Sequence, residues 1–197
     1  MKNRIFFIVS FLISFVNFAQ ELKPPDLLTS EASWGKEIIQ MPIHFAPQIP
    51  YKGVEEIRFS PDWSKQDKDG YWSYVFVWDI DLKTLLTSQQ LEIDVQYYFD
   101  GLMAVVNKDK DKKLPKTVAL FLKKEVKPNY VSFVGKLQIY NSFHTKDIMV
   151  LNCTVAQFYC PKKQKSIVLF RFSPKELEHN IWNELNAVTL AKKPCKH

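Results

Sequence analysis

The stretch that decides the fold is Tyr71–Asp81, YWSYVFVWDID. Successive side chains of an extended chain alternate between its two faces. Trp72, Tyr74, Phe76, Trp78 and Ile80 therefore share one face, and Val75 and Val77 lie on the other. Both faces are apolar over the middle, which predicts a central strand covered on both sides.

The segments around this strand supply the rest of the sheet and its cover. Ile39, Met41, Ile43 and Phe45 alternate with Gln40, Pro42, His44 and Ala46. That pattern predicts a half-buried strand, and Pro42 places it at a sheet edge. Val54–Phe59 reads as a second short strand, and Ser60–Gly70 as a polar loop closed by the Asp69-Gly70 turn. Further on, Thr87 and Gln90 form the T-x-x-Q capping pattern. Leu91, Val95, Tyr98, Phe99, Leu102 and Val106 then recur at helical spacing, which predicts one long amphipathic helix over Ser88–Val106 packed on the sheet. Gly101 inside it should cost about 1 kcal/mol relative to Ala.

Lys108–Lys113 alternates Lys and Asp and reads as a solvated loop. Four apolar segments follow, Thr117–Leu122, Tyr130–Phe143, Ile148–Phe158 and Ser166–Phe172, separated by short polar turns. They predict an antiparallel meander. Ser173-Pro174-Lys175-Glu176 carries a cap, a first-turn proline and a capping-box glutamate, so a short closing helix is expected from there to Ala187. The expected class is α+β: a curved, mainly antiparallel sheet of about six or seven strands, with one long helix packed on it and a short C-terminal helix.

Composition sets the outer limits. A chain of 197 residues that is 46% hydrophobic and 14% aromatic has ample material for a core, and its 5 Gly exclude a collagen-like chain. Residues 1–19, MKNRIFFIVSFLISFVNFA, pair a basic start (Lys2, Arg4) with a short apolar run over Ile5–Val16, and the small residue Ala19 then precedes Gln20. That is the pattern of a cleaved secretory signal, with an apolar run below the roughly 20 residues that span a bilayer. The expected organisation is a signal peptide over 1–19, an extended lead-in over 20–35, one domain over 36–190 and a basic tail over 191–197. The mature chain is expected to be exported, to the periplasm or beyond, and not to span the membrane. Losing the leader removes two bases and no acid, so the formal charge falls from +6 to +4. All of the basic residues except Arg4, Arg58 and Arg171 are Lys. Specific nucleic-acid readers lean on the Arg fork, so no nucleic-acid partner is expected.

Recognisable catalytic and metal motifs are absent from the sequence. Aligning Asp67, Asp69 and Gly70 with a calcium loop puts Lys65 at the first ligand position and Phe76 at the last. Glu176 and His179 have di-metal spacing but no matching helices, and the three Cys contain no CxxC pair. No metal or cofactor is expected. Cys153 and Cys160 are seven positions apart in a predicted strand, about 23 Å, which is beyond bridging reach. Any disulfide is therefore expected between Cys160 and Cys195, with Cys153 a buried thiol. Glu55, Glu56, Asp62, Asp79 and Asp81 are available as a carboxylate pair for glycoside hydrolysis, or as ordinary surface acids.

The segment Arg58-Phe59-Ser60-Pro61-Asp62-Trp63 is the most suggestive local feature, because Trp63 sits in a polar loop. Two readings compete. In one, Trp63 is a stacking platform for a sugar or other flat ligand, with Arg58 and Asp62 as its polar companions. In the other, it is a lid on the core and Arg58 pairs with Glu56 or Asp62. His44 and His144 complete the set of candidate contact residues. The leading functional expectation is an exported, non-catalytic domain that binds a small molecule, a glycan or an envelope protein. The alternative is a small extracytoplasmic hydrolase using carboxylates of residues 55–81. Intact mass of the exported protein should give a chain starting at or near Gln20; a membrane-bound product that keeps Met1–Ala19 would contradict the leader assignment.

Overall fold

The computed structural model describes residues 26–195 apart from Lys110. The leader expected over 1–19 and the last two tail residues lie outside them. Strand β1 is Leu28–Thr29, β2 Gly35–Met41, β3 Gly53–Phe59 and β4 Tyr74–Ile80. Helix α1 is Ser88–Val106, and strands β5 Val118–Lys127, β6 Tyr130–Tyr140, β7 Ile148–Cys160 and β8 Lys165–Ser173 follow it. Helix α2 is Ile181–Ala187 and β9 is Thr189–Leu190. The class is α+β.

Seven strands form one open antiparallel sheet in the order β2-β3-β4-β8-β7-β6-β5, and β1 pairs with β9 in a separate two-stranded ribbon. Two meanders thus meet at β4 and β8, whose register sets Phe76 opposite Phe170 and Trp78 opposite Val168. Helix α1 makes the long connection from the middle of the sheet to its far edge. Its start agrees with the sequence: Thr87 is the N-cap, and its hydroxyl accepts a hydrogen bond from the Gln90 backbone N–H at 3.1 Å. Only half of the capping box forms, because the Gln90 amide donates to Asp94 instead of turning back to Thr87.

Strand β4 is buried on both faces. Tyr74, Phe76, Trp78 and Ile80 join Leu91, Val95, Tyr98, Phe99 and Met103 of α1 in the main core. Val75 and Val77 pack on the other face against Leu28, Trp34 and the α2 residues Ile181, Trp182 and Leu185. The segment read as an extended lead-in therefore contributes to a second core. Arg171 of β8 fastens α2 there, donating from Nε to the Leu185 carbonyl and from Nη2 to the Val188 carbonyl. Such bonds satisfy acceptors that a helix end leaves open.

Two sequence expectations are corrected. The first strand stops at Met41, because Pro42 offers no amide hydrogen for the ladder, and His44 and Phe45 lie in the turns beyond it. The closing helix begins at Ile181, not near Ser173. Ser173 is the last residue of β8, where its hydroxyl pairs with that of Ser73 at 2.8 Å and accepts from the Lys175 N–H. Glu176 reaches outward to Lys136.

At the far edge, Val118, Leu120 and Leu122 of β5 are exposed on the face away from α1. The edge N–H groups of Thr117 and Phe121 donate to Asp100 and Glu92 of the helix, which occupies donors that would otherwise invite a foreign strand. Gly101 has a reason to be glycine: a Cβ there would sit 1.8 Å from the Phe45 carbonyl oxygen. Gly101→Ala, which helix propensity alone would favour, should instead destabilise the protein by about 1–3 kcal/mol, since the helix must move off the 43–46 turn. Urea unfolding of the variant tests this, and an unchanged or raised midpoint would contradict it.

A candidate ligand cavity beside the edge strand

Strand β3 separates its side chains cleanly. Glu55, Ile57 and Phe59 face α1, whereas Glu56 and Arg58 face the second core. Arg58 is only 4% exposed. Its Nη2 contacts Glu56 Oε1 at 2.6 Å and Asp26 Oδ2 at 3.1 Å, and it also donates to the Leu28 carbonyl. Glu56 in turn accepts from the Leu27 and Leu28 N–H groups. This buried cluster fastens the N-terminal segment to the sheet. Arg58 therefore stands on the opposite side of the sheet from the rings that surround Trp63, and the Arg58–Asp62–Trp63 rim is not assembled. Asp62 sits in the loop and pairs with Lys65 at 2.8 Å.

The five carboxylates do not converge either. Glu55 and Glu56 are buried on opposite faces, which corrects their reading as surface acids. Asp79 pairs with Lys165, and Asp81 accepts from the Lys52 N–H. Glu55 is fully buried, and both of its oxygens are engaged. Trp78 Nε1 donates to Oε2 at 2.7 Å and the Tyr98 hydroxyl to Oε1 at 2.7 Å. Burial outweighs these two donors and pushes its pKa up to about 7, with the Glu37 charge adding to the rise. Asp94 of α1 is also raised by burial while accepting from the Tyr51 hydroxyl at 2.8 Å.

Trp63 packs on the main core as one wall of a cavity of about 400 Å³. That volume is in the range of small-molecule sites. The sheet side is Ile39 of β2 with Ile57 and Phe59 of β3, and the helix side is Tyr98 and Leu102. Phe45, Trp63, Trp72 and Phe143 close it from the loops, and the exposed Glu37 is the one charged residue in the lining. The cavity thus opens on the apolar face of the early strands, under the helix.

The rings are held by more than packing. Trp72 has φ 52°, a left-handed conformation that costs a bulky L-residue about 1–2 kcal/mol. Its N–H donates to the Trp63 carbonyl at 3.0 Å, closing the turn that sets the two indoles 5.4 Å apart. His144 lies 5.3 Å from Trp63, ring to ring, and burial together with Lys146 holds its pKa below the usual histidine range. Trp63 Nε1, Trp72 Nε1, Ser142 Oγ and His144 Nε2 are buried with no hydrogen-bond partner among the described residues. His44 is exposed, and its ring centroid lies 5.4 Å from that of the rim residue Phe45. Of the sequence candidates, Trp63 lines the cavity, His144 packs against Trp63 outside the lining, and His44 lies beside the lining residue Phe45. Glu37, Ile39, Phe45, Leu102 and Phe143 were missed. Each looked like ordinary strand, turn or helix residue, and only the crossover of α1 brings them to one place.

Cys160 and Cys195 are joined, with Cα atoms 5.1 Å apart, and Cys153 is a buried free thiol. Among the described residues no group of three or more His, Cys, Asp or Glu is placed to hold a metal ion, and no helix is long and apolar enough to cross a membrane. No protein-family model, curated protein or solved structure matches the chain. The fold and the cavity therefore define it only as an α+β domain with an aromatic-lined pocket at one sheet edge.

The raised Glu55 has a signed consequence. Between the unfolded value of about 4.3 and the folded value near 7, the folded protein keeps a proton that the unfolded chain releases. Its contribution is full below pH 4.3 and is lost as pH rises toward 7, a change of about 3–4 kcal/mol. Glu55→Gln should therefore gain stability relative to the parent by about that amount between roughly pH 4 and pH 8, as read by urea unfolding across this range. A constant difference would show that the carboxyl is not held protonated.

Proposed function

We propose that this is an exported, non-catalytic domain that binds a small apolar ligand in the cavity between β2, β3 and α1. The observation that carries the reading is the cavity itself: aromatic and aliphatic walls, a single charged residue, and a strained Trp72 backbone spent on holding one wall. Sites for small molecules are concave and mostly apolar, with few polar groups. Strained residues persist where the surrounding structure holds them for a purpose. Export is supported by the leader pattern of residues 1–19 and by the Cys160–Cys195 bridge, since disulfides persist mainly in oxidising compartments. A hydrolase reading finds less support, because Glu55 and Glu56 face opposite ways and Asp62, Asp79 and Asp81 are engaged elsewhere. A ligand near Trp63 should also perturb indole emission.

The test is direct titration with Nile red, a neutral apolar dye. Binding should saturate at one dye per protein, and Leu102→Trp, which fills the cavity from the helix side, should weaken it at least about tenfold with the melting temperature little changed. Absent or unsaturable dye uptake by the folded parent, or uptake indifferent to Leu102→Trp, would overturn the reading.

A further inference from the structure

The cavity has an electrostatic character that size and apolarity alone do not describe. Among the described residues no Lys, Arg or His lines it, and the one charged residue in the lining is the Glu37 carboxylate at the β2 edge. Glu37 lies opposite Ile57 in the strand register, on the face that looks toward the helix, and has no ion-pair partner among the described residues. Its field is felt inside the fold, at Glu55 and at Tyr98. Lys36, the residue before it, points to the other face and pairs there with Asp26. Lys146, three residues beyond the lining residue Phe143, is exposed and donates to the Ser142 carbonyl.

The walls are rings set at steep angles to one another. Phe59 and Trp63 meet at 66°, Trp63 and Phe143 at 84°, and Phe45 and Tyr98 at 78°. An aromatic face carries partial negative charge, and several rings turned about one space attract a cation whose hydration shell is weak. Alkylated ammonium groups suit such a box, because they are large, apolar on the outside and poorly hydrated. An anionic amphiphile such as a fatty acid would instead bring its carboxylate toward Glu37, at a cost.

We propose that the ligand carries a bulky organic cation, a quaternary ammonium or a comparably alkylated amine, seated among Phe45, Phe59, Trp63 and Phe143 with Glu37 as its counter-charge. The inference rests on the cavity being a ligand site. It adds the sign and chemical class of what enters.

Benzyltrimethylammonium and its uncharged isostere neopentylbenzene have the same shape and differ in charge. Both are titrated into the intact protein by displacement of Nile red, with the parent and Glu37→Gln compared. Glu37 is exposed, so the variant should fold as the parent does, which its melting temperature checks. The cation should bind more tightly than the isostere by about tenfold, and Glu37→Gln should weaken the cation several-fold while leaving the isostere unchanged. Raised salt should act on the cation alone. Equal or tighter binding of the isostere overturns the cation inference and leaves the apolar site standing, as does dye binding that neither compound displaces. So does a Glu37→Gln variant that changes neither compound or both alike. Failure of Nile red to bind the parent removes the site and the inference together.

Discussion

A strand that must be covered on both faces organises this molecule. Trp78, Phe76 and Val75 are each at most 1% exposed, so β4 needs an apolar layer above and another below. By the usual area relation, burying one large side chain is worth about 1.5–3 kcal/mol, which makes β4 and its partner β8 a major source of stability. The two covers differ in character. Helix α1 lies over the inner face as a continuous piece, whereas the outer face is closed by a patchwork of α2, Leu28 and Trp34. The patchwork needs polar fasteners, which is where Arg58, Glu56 and Arg171 are used. The inner side uses Glu55 and Asp94 to tie β3 and the 47–51 loop to the helix.

This arrangement also explains why a cavity remains. The helix leaves β4, crosses the inner face and ends beside β5 at the opposite edge, so it covers that half of the sheet closely. On the β2–β3 side the cover passes to loops carrying Phe45, Trp63 and Phe143. Bulky rings meeting edge to face do not fill space as interdigitating aliphatic side chains do, and a gap is left among them.

Much of the architecture is legible in the sequence. The two-faced pattern of Tyr71–Asp81 predicted the central strand, and the bounds of α1 follow from Thr87 and the spacing of its apolar residues. Local rules succeeded where the determinants were local. They failed at Ser173-Pro174-Lys175-Glu176, a strong helix start in isolation, because the Ser73 hydroxyl one hundred residues earlier engages Ser173 at the end of β8. The same limit applies to the site. Trp63 stood out as a large ring in a polar loop, and Arg58 stood out as a rare arginine, but their apparent partnership was an effect of sequence proximity. Five residues apart around a turn, they end on opposite sides of a sheet. The rings that do meet Trp63 come from positions 59, 72, 143 and 144, a grouping that no spacing rule contains.

The disulfide would keep the chain in one piece after a cut between Cys160 and Cys195. Cys160 closes β7 and Cys195 follows β9, so β8, α2 and β9 lie within one covalent ring with a sequence separation of 35. A protease that severed the turn after β7 or the segment before α2 would leave both fragments linked, with β8 still held between β4 and β7. Because β9 also pairs with β1, the ring grips the opposite end of the chain as well. A single nick there would be a wound without a loss of material, and only reduction would let the pieces part.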